Sequence, residues 1–222
     1  KKLLVTTLLL AMGLNKQDIA DTFYENESFE FLSKENKWKT KFVPENYKAK
    51  KYSEEILDSS SKKIIVKLGS KISYLEAKKL HEEGLKDILV SNESLYGKFL
   101  HKEISFDENV FPIGTELNET LINQFIENNI KKIFVSNTNA INKGPYLLLT
   151  LLADKNNNKN EALTDIYKIL RPGEPPTVEI AQQIFQNLFF TSERYDLSDV
   201  GRVKMNARLN LSCSDKIAIL RN

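Results

Sequence analysis

The chain has 222 residues, 41% of them hydrophobic and 28% charged, an ordinary globular profile with room for one or two cored domains. A formal net charge of +2 excludes a global basic field as the basis of nucleic-acid binding. The single cysteine, Cys213, excludes an internal disulfide and a cysteine-rich zinc site, and it suits a reducing compartment.

Lys1-Lys2 followed by the apolar run Leu3–Ala11 imitates a secretory signal. Gly13-Leu14-Asn15 then reads as a helix stop and a new cap, and Asp18–Phe23 continues in helical spacing. About ten apolar residues fall short of the ~20 that a bilayer needs. The pattern therefore predicts a buried helical hairpin, Leu3–Met12 and Asn15–Tyr24, with Ile19 and Phe23 turned inward. Phe29–Leu32 and Lys37–Val43 alternate around Ser33-Lys34-Glu35-Asn36, which predicts a β-hairpin with Trp38 as a cross-strand packing residue. From Lys34 to Lys71 lysines outnumber acids by six. A solvated face with a loop around Asp58-Ser59-Ser60-Ser61 explains that excess, and a surface for nucleic acid or an acidic partner is the second reading.

An internal repeat follows. Leu68-Gly69-Ser70-Lys71-Ile72 returns as Ile113-Gly114-Thr115-Glu116-Leu117, an offset of 45 residues. At that offset Leu80 meets Phe125, Leu85 meets Ile130 and Ile88 meets Ile133. Slightly out of register, Gly97–Leu100 matches Gly144–Leu147. Each copy reads as strand, glycine turn, capped helix and strand, with a Ser73/Glu76 capping box in the first and an Asn118 cap in the second. Two copies are too few for a solenoid. They predict a tandem of small α+β modules, residues 62–100 and 107–147, each burying one helix on a short sheet. Helical sequence lies on both sides. The predicted fold class is therefore α+β: a discontinuous helical domain, 1–27 with 144–222, interrupted by an inserted domain, 28–143. Asp154–Asn160, rich in asparagine and lysine, reads as a flexible connector before a helix at Glu161–Leu170.

Catalytic and metal motifs do not emerge. His81 and His101 fall in different elements without a third ligand, Cys213 lacks a paired histidine, and there is neither a phosphate loop nor a serine elbow. No catalytic residue and no metal ligand is assigned. The arginines are more informative: Arg171, Arg194, Arg202, Arg208 and Arg221 are all the chain has, and all lie near its end. Lysine-biased composition explains this, and so does a need for planar forks there, on phosphate or on buried carboxylates.

Arg171-Pro172-Gly173-Glu174-Pro175-Pro176 is a stiff elbow. Thr177 caps a helix running to Phe189, with Ile180, Ile184 and Leu188 recurring every four residues. Ser198 starts another, with Val200, Val203 and Ala207 on one side and Arg202, Lys204 and Arg208 elsewhere. Arg171 at the corner suits either a helix-end pair with Glu174 or a phosphate contact. Arg194 is equally suited to bridging Glu193 or Asp196 and to phosphate. Arg202 and Lys204 complete the cationic set.

Arg171–Pro176, Asn187-Leu188-Phe189-Phe190, Glu193–Ser198, Val200-Gly201-Arg202, Lys204 and Asn206 closely resemble the β subunit of bacterial DNA-directed RNA polymerase. The likeness extends to Ala162–Tyr167, Gly144-Pro145-Tyr146 and Leu3–Phe23, and so covers the chain. That family's subunit is far longer. The resemblance implies the lobe of the subunit, carrying a lineage-specific insertion of small repeated modules. It implies a non-catalytic, cytoplasmic role in forming the DNA channel of a nucleotidyltransferase, with magnesium bound in other parts of the enzyme. It further implies DNA, other polymerase subunits and sigma factor as partners. Arg171, Arg194, Arg202 and Lys204 would be the nucleic-acid contacts, made through backbone phosphate. The alternative is a docking platform in which the insertion binds transcription regulators. A third reading, an exported protein with an uncleaved signal, requires a reading frame confined to this chain. No membrane is expected as a partner.

Overall fold

The computed structural model describes residues 2–47, 52, 54–139, 143–217 and 219–220. Lys48, Lys50 and Lys51 of the basic run, and Arg221, lie outside the described residues. In chain order the elements are α1 (Val5–Ala11), α2 (Lys16–Phe23), β1 (Asn26–Leu32), β2 (Lys37–Lys41), β3 (Ile56–Asp58), β4 (Ile64–Val66), α3 (Tyr74–Glu82), β5 (Asp87–Val90), β6 (Phe99–Leu100), β7 (Ile104–Phe106), β8 (Asn109–Phe111), α4 (Glu119–Glu127), β9 (Lys132–Ser136), α5 (Tyr146–Ala153), α6 (Lys159–Leu170), α7 (Val178–Phe189) and α8 (Asp199–Leu209). The fold is mixed α+β with antiparallel pairing. Among the described residues no helix is long and apolar enough to cross a membrane.

Two compact units divide the chain: residues 1–16 with 154–222, and residues 17–153. The second unit is built on one sheet in the order β4-β3-β5-β2-β1-β9-β6, with β7–β8 as a separate ribbon. The β1–β2 hairpin lies inside that sheet, Phe31 opposite Trp38, and Asn36 takes the positive φ that closes its turn. Trp38 is fully buried, packs tilted against Phe31 with ring centroids 5.1 Å apart, and donates from Nε1 to Asn92 Oδ1 at 2.9 Å. At the end of β3, the Asp58 carboxylate accepts hydrogen bonds from Ser61 and Ser60, which pull its pKa down to about 2. The serines that break the hydrophobic periodicity thus form an ordered turn.

The 45-residue offset falls on real boundaries. Ser73 and Glu76 close the capping box of α3, and Asn118 accepts from Leu121 N at the start of α4. The following strands both start at the same offset, at Asp87 and Lys132. The two copies are not separate modules, however. β5 pairs with β2, β9 pairs with β1, and Ala77, Leu121, Ile122 and Phe125 of the two helices share one core with Phe29, Phe31, Trp38, Ile88 and Ile133. Neither helix has a sheet of its own, because the central hairpin serves both. The equivalence also fails at its ends. β4 lies at the edge of the large sheet while β8 lies in the small ribbon, and Phe99–Leu100 is strand where Tyr146–Leu147 opens a helix.

Gly114 adopts φ +89°, and a Cβ there would stand 2.6 Å from the backbone oxygen of Leu148 in α5. Gly84, at φ +105°, has open space around it. Gly114→Ala is expected to cost roughly 2–4 kcal/mol, joining left-handed strain to a backbone collision. Gly84→Ala should cost only about 1 kcal/mol. Urea denaturation of the two variants checks this, and equal losses would show that α5 yields.

In the first unit α1 and α7 pack against α6. The buried face of α1 is not its most apolar one: Thr6, Thr7, Leu10 and Ala11 are inside, while Leu3, Leu4 and Val5 are exposed. The cause is Asp154, buried, whose carboxylate accepts from Thr6 Oγ1 at 2.5 Å, Thr7 Oγ1 at 2.9 Å and both the backbone and side-chain nitrogens of Asn156 at 3.0 Å. Asp154–Asn160 is thus a polar knot rather than the flexible connector its composition predicts. Asn158 caps α6, accepting from Glu161 N at 3.0 Å. In the second unit Phe23 is exposed, not inward, and Tyr24 is buried in its place.

Candidate nucleic-acid interface

The helix α6 ends at Leu170, and Arg171 caps it with its backbone N–H on Tyr167 O. Gly173, at φ +93°, turns the chain, and the two prolines before Thr177 carry it to α7, whose first turn Thr177 caps through Ile180 N. Arg171 is exposed, and its Nη1 lies 3.5 Å from both carboxylate oxygens of Glu174. Glu174 is itself held, because the buried Tyr167 donates its hydroxyl to Oε2 at 2.8 Å. That bond to Glu174 raises the Tyr167 pKa, burial adds to the rise, and Arg171 opposes it. The chain Tyr167–Glu174–Arg171 therefore aims a solvent-facing fork from a stiff corner. At this exposure the ion pair contributes at most about 1 kcal/mol, so the guanidinium keeps donors for an external anion.

The other candidates separate. Arg194 and Lys204 are exposed, and among the described residues neither forms an ion pair. Arg202 is buried, 4% exposed. Its Nε donates to Ile217 O at 2.9 Å and its Nη2 to Ile219 O at 2.5 Å, with the sulfurs of Met205 and Cys213 near Nη1. One turn on, Asn206 donates to Cys213 O and to Asp215 Oδ1, both at 2.9 Å. Together they tie down the segment after α8. Arg202's fork is committed to backbone carbonyls, so of the four predicted contacts Arg171, Arg194 and Lys204 are exposed.

This arrangement turns α8 around. Its polar Arg202 and Asn206 are inside, whereas Val200 is 65% and Val203 48% exposed, and Ala207 is exposed too. Spacing alone groups the three apolar residues correctly on one side but gives no sign that the carbonyls of a later segment would claim the opposite side. α7 is displaced by one residue: Ala181 and Phe185 are buried, while Ile180 is exposed.

The histidines serve the fold. His81 Nδ1 lies 3.1 Å from Leu85 O. His101, with no exposure, stands between Ser136 Oγ at 2.9 Å and Asp21 Oδ1 at 2.7 Å, and its bond is the leading cause that lowers the Asp21 pKa. An aspartate, a histidine and a serine are thus in line, but Ser136 is buried at 2% exposure, out of a substrate's reach. Among the described residues no three His, Cys, Asp or Glu side chains gather to hold a metal.

Residues 123–220 match the family described as RNA polymerase Rpb2, domain 2. Along 99% of its length the chain is 39% identical to the DNA-directed RNA polymerase subunit beta of Rickettsia akari (strain Hartford). It is 40% identical, over the same share, to the subunits of that name in Rickettsia rickettsii (strain Sheila Smith) and Rickettsia felis (strain ATCC VR-1525 / URRWXCal2). The chain spans 16% of the length of these relatives.

Proposed function

We propose, on the premise that this chain is a segment of a bacterial RNA polymerase β subunit, that it is the non-catalytic lobe of that subunit and helps to form the DNA channel during transcription. The observation that carries this reading is Arg171: an exposed fork, at a proline-stiffened corner, aimed by a glutamate that a buried tyrosine holds. Arg194 and Lys204 add exposed positive charge. Such contacts position the DNA backbone without reading bases. Nucleotidyl transfer and its magnesium belong, on this reading, to parts of a cytoplasmic polymerase outside this chain, whose partners include DNA, the other subunits and sigma factor.

Residues 28–143, which lie within the compact unit 17–153, are read as an insertion in the lobe, carrying a diverged repeat about a central hairpin. Support comes from the first unit alone. Lys16, where its chain departs, bonds through Nζ to Asn157 Oδ1 at 2.9 Å, beside the point of return. An insertion needs its two ends close together in the host.

Arg171→Ala in the assembled polymerase should weaken DNA engagement by roughly 1–3 kcal/mol, the scale of a charge-assisted hydrogen bond. The loss should shrink as salt rises, since one fewer counterion is released. Arg171→Lys should restore only part, a point charge replacing a fork. Promoter-complex lifetime against salt, paired with the melting of the 222-residue chain, is the measurement. A variant that melts much earlier while its complexes keep normal lifetimes would make Arg171 a structural residue.

A further inference from the structure

We infer that Tyr167 regulates the fork of Arg171: its hydroxyl holds the Glu174 carboxylate off the guanidinium, so that an incoming phosphate meets open donors and not a closed ion pair. This deepens the reading of Arg171 as a DNA contact and rests on it. A carboxylate three residues from an arginine, on a proline-stiffened loop, is the nearest competitor for any phosphate that the arginine could hold. Unrestrained, it closes on the guanidinium with two parallel N–H···O bonds of about 2.7–2.9 Å. Here it stays back. Only Nη1 approaches Glu174, at 3.5 Å from Oε1 and 3.5 Å from Oε2. Among the described residues Nε and Nη2 of Arg171 have no protein partner.

The cause lies in the buried end of α6. Tyr167 stands four residues before Arg171, and its carbonyl accepts the arginine's backbone N–H at 2.8 Å, which fixes the two relative to each other. The tyrosine is 4% exposed, and its hydroxyl donates to Glu174 Oε2 at 2.8 Å. Glu174 is therefore bonded closely to a packed group and only loosely to Arg171, whose side chain is 55% exposed. Closing onto the guanidinium would draw Oε2 away from the phenol and leave a buried hydroxyl poorly met. The carboxylate keeps its aim on the fork without occupying it. Exchange then favours phosphate, which brings its oxygens to the two nitrogens that Glu174 does not reach.

The test is a double-variant cycle in the assembled polymerase, read as promoter-complex lifetime at low salt. Tyr167→Phe frees Glu174 to close and should shorten the lifetime roughly two- to fivefold, the range of an exposed ion pair. Glu174→Gln removes the competing charge and should lengthen it about twofold, an effect that fades as salt rises. With both changes the lifetime should match that of Glu174→Gln alone, because no charge remains for the hydroxyl to restrain. A Tyr167→Phe loss that persists beside Glu174→Gln overturns the inference, since Tyr167 would then act through packing alone. A shortened lifetime in Glu174→Gln overturns it too, and so does an unchanged one in Tyr167→Phe while Arg171→Ala shortens it. A second arm needs no DNA. In the 222-residue chain Tyr167→Phe should slow the rotation of the Arg171 guanidinium, followed by nitrogen NMR, and rotation as fast as in the parent overturns the inference. Slowed rotation in Tyr167→Phe, together with unchanged lifetimes for Arg171→Ala, would instead fault the DNA contact and leave the restraint standing.

Discussion

Asp154→Ala should destabilise the first unit by about 3 kcal/mol, one of the largest losses for a single side chain here. Four hydrogen bonds converge on this carboxylate, two of them from hydroxyls of α1, and its removal leaves Thr6 and Thr7 buried without an acceptor. Thermal unfolding of the 222-residue chain measures the effect. Asp154→Asn should lose less, because it keeps the shape and one acceptor oxygen. The acid side gives a second readout. Burial pushes the Asp154 pKa up, but the bonds from Thr6, Asn156 and Thr7 outweigh it and leave the pKa below its ordinary value. A depressed folded pKa means that this stabilisation is fully present above the unfolded value, ~3.9, and is lost as pH falls through the folded value. The parent should therefore lose stability below about pH 4 more steeply than Asp154→Asn. Equal acid profiles, with an unshifted melting point for Asp154→Ala, would show that the knot contributes nothing.

Arg202→Ala should cost a similar amount, about 3 kcal/mol, because it deletes two charge-assisted bonds and leaves two carbonyls of the terminal segment without their donors. Arg202→Lys should recover a minor part, since one ammonium cannot span both carbonyls as the fork does. The contrast with Arg171 decides between their roles. Arg202→Ala should lower the melting point and leave the salt dependence of promoter complexes as it was, whereas Arg171→Ala should do the reverse. A variant at 202 that melts normally but loses about one unit of salt slope would restore it to the phosphate-contacting set.

What the sequence discloses and what it hides follow one physical rule. Local signals read through directly: the Ser73/Glu76 box, the Asn118 and Thr177 caps, the hairpin around Trp38 and the elbow after Arg171 each depend on residues a few positions apart. The repeat is visible in the order of the residues, and its offset fits α3 and α4 to the residue. What was hidden depends on distant partners. Nothing near Thr6 announces Asp154, nothing near Arg202 announces Ile217 and Ile219, and so in both helices polar side chains are buried and apolar ones are left outside. The fusion of two apparent modules into one sheet has the same origin, since the strands that join them come from the hairpin that precedes both. For the candidate interface, the elbow and its arginine were legible, but the demotion of Arg202 was not.

That shared sheet sets an order of events for a chain emerging from the ribosome. The β1–β2 hairpin can close as soon as it is made, and β5 can add to β2 about midway through the unit. The other side of β1 has to wait. Asn26 pairs with Ser136, so the strand made first in the sheet is completed by one of the last. Throughout the synthesis of the intervening chain, β1 offers an unpaired edge. The lysines of the β2 side and the acids Glu27 and Glu30 of β1 are then the chain's protection against sticking to its neighbours, and maturation of this unit is timed by the arrival of β9.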